Sequence, residues 1–418
     1  MQDTNVLRSK HLIQYGLLAF PLAFVGLPLY MHAPEFYASE LQLSLVNLGT
    51  ALLVLRLIDA IQDPWIGSLS DRYSENRLAI VLLGAGLLAA GFWLLFHPSE
   101  SAPMLYFSLA VFLSTTGFSV MSINFQSLGG LWQCSPAERT RITGWREGIG
   151  LLGLIVAAAL PTWLSQNYSP AGGFHLLTLI FLPLLALGFL SFWLWFRKVK
   201  LSPVSNTNNL PSSWQSINTS WAKSFFGIYL INNVAAAIPG VLVLFFIKDH
   251  LQAEQWIGLF LLLYFMSGVL GMPLWQRLSK VHGKTVVWFW SMLLAVLVFG
   301  WAFTLKEGDV VPFAIICVLS GLALGADLAL PPAILADNIH QSNTQHLSSR
   351  AFSLMNFFTK SSLALATGIS LPVLGFLGYQ PGVASGASTE PLTLMYALVP
   401  SIIKLLAVIW LWRFITRR

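Results

Sequence analysis

Three charged residues lie close together within an otherwise apolar stretch of the chain. Arg56, Asp59 and Asp63 fall inside a segment near 44–68 that is apolar enough to span a bilayer. A charged side chain in lipid costs roughly 2.5–3.5 kcal/mol even on a lenient insertion scale, so this cluster requires a reason. On a helix, Asp59 and Asp63 face the same side, and Arg56 stands one turn before Asp59.

Two carboxylates beside a cation predict a site for a coupling cation, with Arg56 setting the ionisation of the two acids. Either a proton or sodium could occupy this site. The alternative is a structural cluster of ion pairs that locks the helix, because such clusters also occur without a functional role.

Composition places these residues in a membrane protein. Of the 418 residues, 56% are hydrophobic and 10% are charged, against about 25% charged residues in a soluble domain. Long apolar runs favour helices over a barrel, whose strands alternate in polarity. Spans are predicted near 11–31, 44–68, 78–96, 104–132, 143–164, 174–196, 224–247, 255–277, 285–304, 310–336, 350–377 and 392–412. The fold class is therefore an all-α membrane protein with twelve transmembrane helices.

The net charge of +6 indicates membrane orientation rather than nucleic acid binding. If the N-terminus is cytoplasmic, seventeen Lys and Arg lie in segments on that side, whereas only Lys248 and Lys306 lie opposite. This bias predicts that both termini are cytoplasmic. The short loops favour a bacterial inner membrane. Cys134 and Cys317 lie far apart in sequence, which favours neither a disulfide framework nor a metal site.

An internal repeat divides the chain into halves. Residues of the first half recur in the second at an offset of about half the length: Phe36, Leu41, Gln42 and Gly49 as Phe246, Leu251, Gln252 and Gly258, and Pro64, Leu69 and Ser70 as Pro273, Leu278 and Ser279. We expect an N-terminal six-helix half at 1–197, a polar cytoplasmic linker at 198–223 and a C-terminal six-helix half at 224–418. Two pseudo-symmetric bundles around a central site describe the major facilitator fold.

A second polar motif ends the second predicted helix. It consists of Gly67, Asp71 and Arg72, followed by Arg77. Glycine allows close approach, aspartate can face helix N-termini and arginine can pair across the loop, so the motif predicts a conformational clamp. The alternative is a plain polar loop that carries positive charge.

The run L-R-L-I-D-A-I-Q-D-P-W-I-G-S-L-S-D-R closely resembles the second helix of the glycoside–pentoside–hexuronide cation symporters, the melibiose permease family. The resemblance extends to Tyr15-Gly16, Arg139-Thr140 through Arg146, Leu335-Ala336-Asp337, and Lys360 through Gly378-Tyr379-Gln380-Pro381. It implies that Asp59 and Asp63 contribute to a sodium or proton site. It also implies that Arg146 contributes to a sugar site and that Lys360 faces the cavity.

The chain departs from the melibiose permeases at three positions. Leu22 and Ala23 replace a Lys-Asp pair of the first helix, and Ser122 replaces an aspartate of the fourth. Charged acceptors discriminate strongly among sugar hydroxyls, so their loss argues against a melibiose-like specificity. It also makes proton coupling as plausible as sodium coupling.

The predicted substrate residues are Arg146, Asn124, Gln126, Lys360, Asp327 and Asn232. Several have a structural alternative. Glu147 or an acid of the second helix could neutralise Arg146. Asp327, in a helix bent or broken at Pro331 and Pro332, could pair with Lys360 or Lys404. Asn232 could serve helix–helix contact. We expect Lys404 to extend its stem towards the membrane surface.

The sequence therefore predicts a secondary active transporter of a small organic solute, working by alternating access as a proton- or sodium-coupled symporter. The alternative is a transporter or exporter of an amphipathic lipid-like molecule or drug. A receptor or scaffold that kept the fold would not need the charges of the second helix. We expect no enzymatic activity, no cofactor, no metal beyond sodium at Asp59 and Asp63, no nucleic acid partner, and a monomer in the lipid bilayer.

Overall fold

The computed structural model describes residues 7–99, 101–203, 214–382 and 386–416. Twelve helices in these ranges are long and apolar enough to cross a membrane, which confirms the predicted fold class. In chain order they are α1 (Ser9–Ser39), α2 (Leu45–Arg72), α3 (Ser74–Leu95), α4 (Pro103–Gly130), α5 (Pro136–Pro161), α6 (Gly172–Phe196), α7 (Ser220–His250), α8 (Glu254–His282), α9 (Lys284–Ala302), α10 (Val310–Gln341), α11 (Gln345–Phe376) and α12 (Thr389–Thr416).

Several helices run past the predicted spans because apolar windows register the bilayer-crossing centre and miss the polar turns at the ends. Local capping sets some of these ends. The Ser135 hydroxyl accepts the Glu138 N–H at 3.4 Å before α5, and the Thr219 hydroxyl accepts the Ala222 N–H at 3.1 Å before α7. Each cap satisfies a backbone donor that the first helical turn leaves unpaired.

The tenth helix differs from its prediction. Pro331 and Pro332 lack a backbone N–H and were expected to bend or break the helix. The helix nevertheless continues from Val310 to Gln341 through both prolines, so it is not broken there, and the alternative of a bend stays a prediction. A helix can absorb the loss of two hydrogen bonds when its flanking turns stay bonded and its neighbours pack around it.

By their contacts, the described residues form two compact units. The first contains the described residues within 1–210 and 335–357, and the second those within 211–334 and 358–418. The end of α10 and the start of α11 therefore group with the first six helices. The two halves were predicted from the sequence repeat, whereas these units are defined by contacts. The boundaries of the halves therefore stay a prediction.

The repeated glutamines that follow α1 and α7 adopt the same local structure. Gln42 has φ 54° and Gln252 has φ 51°, both in the left-handed region. The following N–H in each case reaches back six residues, from Leu43 to Tyr37 O at 3.2 Å and from Ala253 to Ile247 O at 3.0 Å. This pattern is a helix C-cap with a left-handed residue. The repeated residues therefore form the same kind of turn at Gln42 and at Gln252.

Helices α3 and α4 approach each other closely at Gly117. A Cβ atom there would lie 2.7 Å from the Gly84 carbonyl oxygen and 2.9 Å from the Leu88 Cα, so a larger residue would push the helices apart. Small residues permit this kind of contact between membrane helices. Because α4 also carries the polar side chains described next, its close packing fixes their position.

Candidate functional site

The two carboxylates of α2 are buried. The Asp59 side chain is 4% exposed and Asp63 is 0% exposed. The Ser119 hydroxyl and the Gln62 amide both donate to Asp59 Oδ1, each at 3.0 Å. The Thr116 hydroxyl donates to Gln62 Oε1 at 3.1 Å. We call these five residues the α2 carboxylate cluster.

Chemically, the α2 carboxylate cluster combines two acidic groups with two hydroxyls and one amide. Hard cations prefer oxygen ligands of this kind. A buried carboxylate also requires a counter-charge, a proton or strong hydrogen bonds to offset its desolvation. The cluster can therefore hold either a proton or a small cation.

The guanidinium of Arg56 lies 4.5 Å from the centre of the Tyr30 ring. This is a cation–π contact, and its strength increases where water is excluded. Tyr30 on α1 thereby restrains the cation that precedes Asp59 by one turn. Tyr30 was not predicted to lie here, because nothing in the sequence brings α1 to this face of α2.

Ser122, which replaces the family's aspartate, belongs to a neutral polar cluster. The Gln126 amide donates to Ser122 Oγ and to Asn356 Oδ1, both at 2.9 Å. The Asn356 amide in turn donates to Ser122 Oγ at 3.2 Å. Asn356 was not predicted, although it stands four residues before Lys360 on the same face of α11. Lys360 itself is half-buried.

Arg146 lies in the interior of α5, with 3% of its surface exposed. Its Nε and Nη2 atoms contact Glu147 Oε1 at 2.8 and 2.5 Å. Glu147 therefore neutralises Arg146 in this structure, as the structural alternative expected. A solute carboxylate or phosphate would have to compete with that glutamate for the guanidinium.

Two asparagines predicted near the substrate are buried among helices. Asn124 is 0% exposed, and its amide donates to Ser70 Oγ at 2.9 Å and to Val120 O at 2.8 Å. It joins α4 to α2. Asn232 on α7 is 2% exposed, and within the described ranges its Oδ1 has no hydrogen-bond partner. A buried unpaired amide oxygen is costly, so Asn232 retains a capacity to bind a donor.

Asp327 pairs with Lys404 rather than standing alone. Lys404 Nζ lies 2.8 Å from Asp327 Oδ2, and Trp288 Nε1 donates to Oδ1 at 2.8 Å. The expectation that Lys404 reaches towards the membrane surface is wrong, because its side chain is only 5% exposed. A buried carboxylate attracts the ammonium more strongly than distant water does. Lys404 was one of the two partners predicted for Asp327, and Lys360 was the other.

The motif at the end of α2 contacts the beginning of α11. Asp71 Oδ1 accepts the Ser349 N–H at 2.9 Å, and Oδ2 accepts the Arg350 N–H at 3.0 Å. A carboxylate is favoured there because the first helical turn presents free N–H groups and a positive dipole end. Arg77 lies 3.4 Å from Asp71, while Arg72 is exposed.

Gly67 permits this contact. A Cβ atom at Gly67 would lie 2.8 Å from the Ser349 carbonyl oxygen and would also collide with Ser353. A second ion pair joins the start of α5 to the end of α10, because Arg139 Nη1 lies 2.8 Å from Asp337 Oδ1. The structure therefore brings Gly67, Asp71 and Arg77 together. Their role as a conformational clamp stays a prediction.

Comparison with known proteins shows which family carries this arrangement. Residues 12–417 match the family model described as MFS/sugar transport protein, where MFS denotes the major facilitator superfamily. The chain belongs to this family. Its resemblance to the glycoside–pentoside–hexuronide cation symporters is confirmed by relatives that carry symporter names, and the family and fold are those of transporters.

The relatives include a symporter whose name gives no solute and a transporter named for sphingosine-1-phosphate. The inner membrane symporter YicJ of Escherichia coli (strain K12) is 24% identical over 430 residues, 97% of this chain and 91% of YicJ. The sphingosine-1-phosphate transporter MFSD2B of Mus musculus is 25% identical over 433 residues, 91% of this chain and 83% of MFSD2B. A bacterial homologue of the iron transporter ferroportin, solved in an outward-facing state, shares the fold with a TM-score of 0.74. It is 17% identical, and the match covers 98% of this chain and 100% of that one.

Proposed function

We propose that this transporter couples solute uptake to a proton or sodium gradient by alternating access. The observation that carries the proposal is the α2 carboxylate cluster, in which Asp59 and Asp63 are both buried one turn apart. Arg56 can neutralise one of the two carboxylates, and the other cannot remain charged in a dry environment without a further cation. Binding a cation therefore stabilises one conformation, and releasing it favours the change to another.

Proton and sodium would use this cluster differently. A proton can bind between the two carboxylates without rearranging their neighbours. Gln62 presents its amide nitrogen to Asp59, so sodium would bind Gln62 only after the amide turns its oxygen inward. Replacing Gln62 with Leu therefore separates the two cases. We expect it to weaken sodium-driven uptake and to leave proton-driven uptake largely intact.

We propose that the solute is amphipathic or anionic rather than a neutral disaccharide. Arg146 and Lys360 supply positive charge and Gln126 supplies a hydrogen-bonding amide, while Asn124, Asn232 and Asp327 complete the set of candidates. Leu22 is buried among apolar residues, where the melibiose permeases carry a charge. Two cations and an apolar first helix favour a ligand with a carboxylate or phosphate and a hydrophobic portion.

A second candidate function is transport or export of a lipid-like molecule. The similarity to a sphingosine-1-phosphate transporter over 91% of this chain favours it, as does the neutral cluster at Ser122. Both candidates require Arg146 to exchange Glu147 for an anionic group of the solute. They differ in whether the α2 carboxylate cluster drives the transport.

The motif of Gly67, Asp71, Arg72 and Arg77 fits a conformational role in either case. We propose that it lies on the cytoplasmic side, as the charge bias requires for cytoplasmic termini in a bacterial inner membrane. Its hydrogen bonds to Ser349 and Arg350 would hold one state and break in the other. We propose a monomer, without a cofactor or nucleic acid.

Uptake into vesicles with imposed gradients tests the proposal. Purified protein would be reconstituted, and uptake of labelled anionic amphiphiles and neutral disaccharides measured with a proton gradient, a sodium gradient or neither. We expect gradient-driven accumulation of an amphiphile by the natural protein and by Glu75→Gln, an exposed acid used as the control. Accumulation that is unchanged in both Asp59→Asn and Asp63→Asn would reject the cation site. Transport without any gradient dependence would favour the second candidate.

A further inference from the structure

The second compact unit contains a cavity of its own, apart from the α2 carboxylate cluster. Its volume is about 150 Å³, and its walls come from α7, α8, α9, α10 and α12. A dry apolar cavity of about this size in another protein accepts benzene. The cavity here is lined mainly by aromatic and aliphatic side chains, among them Phe260, Tyr264, Phe265, Phe299, Ile316 and Tyr396.

One part of this wall is charged. Asp327 and Lys404 both line the cavity, and their ion pair is almost fully buried. An ammonium group has three N–H donors. Among the described residues, Asp327 is the only acceptor within hydrogen-bonding distance of Lys404 Nζ. The ammonium therefore has unused donors beside an apolar space, which is unfavourable unless water or a ligand supplies an acceptor.

The pair also limits the charge of an occupant. Asp327 and Lys404 together carry no net charge, and a ligand with a net charge would be desolvated without a counter-charge. A neutral compound with one hydroxyl could accept from Lys404 Nζ through its oxygen while its apolar body fills the cavity. Ser320 offers no competing donor, because its hydroxyl bonds to the Ile316 carbonyl at 2.6 Å.

We propose that this cavity is a binding site for a small neutral compound with an aromatic or alicyclic body and a single hydroxyl group. The hydroxyl contacts the Asp327–Lys404 pair, and the body packs against the aromatic wall. This site is separate from the cation site, and it does not depend on the proposed symport.

Cys317 provides the test, because its thiol lines the cavity and is buried. In a Cys134→Ser background it is the sole cysteine. The rate at which methyl methanethiosulfonate modifies Cys317 would be followed by mass spectrometry with benzyl alcohol, toluene or benzoate present at equal concentration. We expect benzyl alcohol to slow the reaction at least threefold and more than either analogue. Equal protection by toluene, stronger protection by benzoate or no protection at all would overturn the proposal.

Two variants separate the cavity from effects on the surrounding detergent. Gly240 lines the cavity, and a Cβ atom there would meet nothing within 4 Å, so Gly240→Leu adds a larger side chain at the cavity wall from a position where its Cβ has room. We expect it to abolish protection by benzyl alcohol. The double variant Asp327→Asn with Lys404→Gln keeps the volume and removes the charges, so benzyl alcohol should lose its advantage over toluene. Unchanged protection in both variants would contradict the site.

Discussion

The two units treat buried charge in different ways. In the first, Asp59 and Asp63 lie one turn apart on a single helix, and hydroxyl and amide groups of α2 and α4 surround Asp59. In the second, Asp327 meets one ammonium from α12 and one indole N–H from α9. The first arrangement suits an exchangeable cation, whereas the second is an ion pair without net charge. Buried acids in a membrane protein thus need not share one function.

Separating the members of the neutral pair should have the largest effect on stability. We expect Lys404→Met to destabilise the protein by about 3–5 kcal/mol, because it leaves Asp327 buried without its cation. Unfolding in detergent, followed by loss of helical signal or by proteolysis, would measure this. The double variant Asp327→Leu with Lys404→Met should recover much of the loss. A single variant as stable as the natural protein would show that the pair is not buried.

Matched amide substitutions sharpen the contrast between the two acids. Asp327→Asn should cost nearly as much as Lys404→Met, because the ammonium then loses its counter-charge. Asp59→Asn should cost less than about 1.5 kcal/mol, since an amide oxygen can still accept from Ser119 and Gln62. Both variants can be compared by melting temperature in one detergent. Equal losses would remove the distinction between the two regions.

Ser119 tests the neutral part of the α2 carboxylate cluster. A hydrogen bond to a charged group contributes about 1.5–3 kcal/mol. We therefore expect Ser119→Ala to weaken binding of the coupling cation by about tenfold or more. The cation concentration that gives half-maximal uptake should rise by the same factor. Ser114→Ala on the same helix, which is also buried, is the matched control. Identical concentration dependence in the two variants would exclude Ser119 from the site.

The contact between Arg56 and Tyr30 should have the smallest effect. A cation–π contact contributes about 1 kcal/mol. A double-mutant cycle with Tyr30→Leu and Arg56→Met, followed by melting in detergent, should give a coupling energy of about that size. A coupling energy indistinguishable from zero would show that Arg56 is not held by the ring.

The sequence predicted the fold well because apolar length is a local property. Twelve spans and the matched turns at Gln42 and Gln252 follow from nearby residues alone. The pairing of Asp327 with Lys404 could be offered only as one of two possibilities, since 77 positions separate them. Ser119, Tyr30 and Asn356 were missed for the same reason, whereas Gln62, only three residues after Asp59, was missed because it is uncharged. Their roles depend on which helix faces come together, and a polar residue without charge gives little signal in sequence.

The contacts of the clamp motif could be predicted only in part. Its local pattern of glycine, aspartate and arginine predicted a contact with a helix N-terminus. The sequence could not name α11 as the partner or select Arg77 over Arg72 for the ion pair. That choice depends on burial, because Arg77 is 3% exposed whereas Arg72 faces outward.

The most direct test of the central claim compares accumulation with exchange for Asp63→Asn. Both would be measured in the same vesicles with the solute identified by uptake screening, first with an imposed cation gradient and then with labelled solute exchanging for unlabelled solute. The account predicts that gradient-driven accumulation falls to the level of diffusion, while exchange continues at a rate comparable with the natural protein. Accumulation that persists in Asp63→Asn would contradict the assignment of the coupling cation to α2.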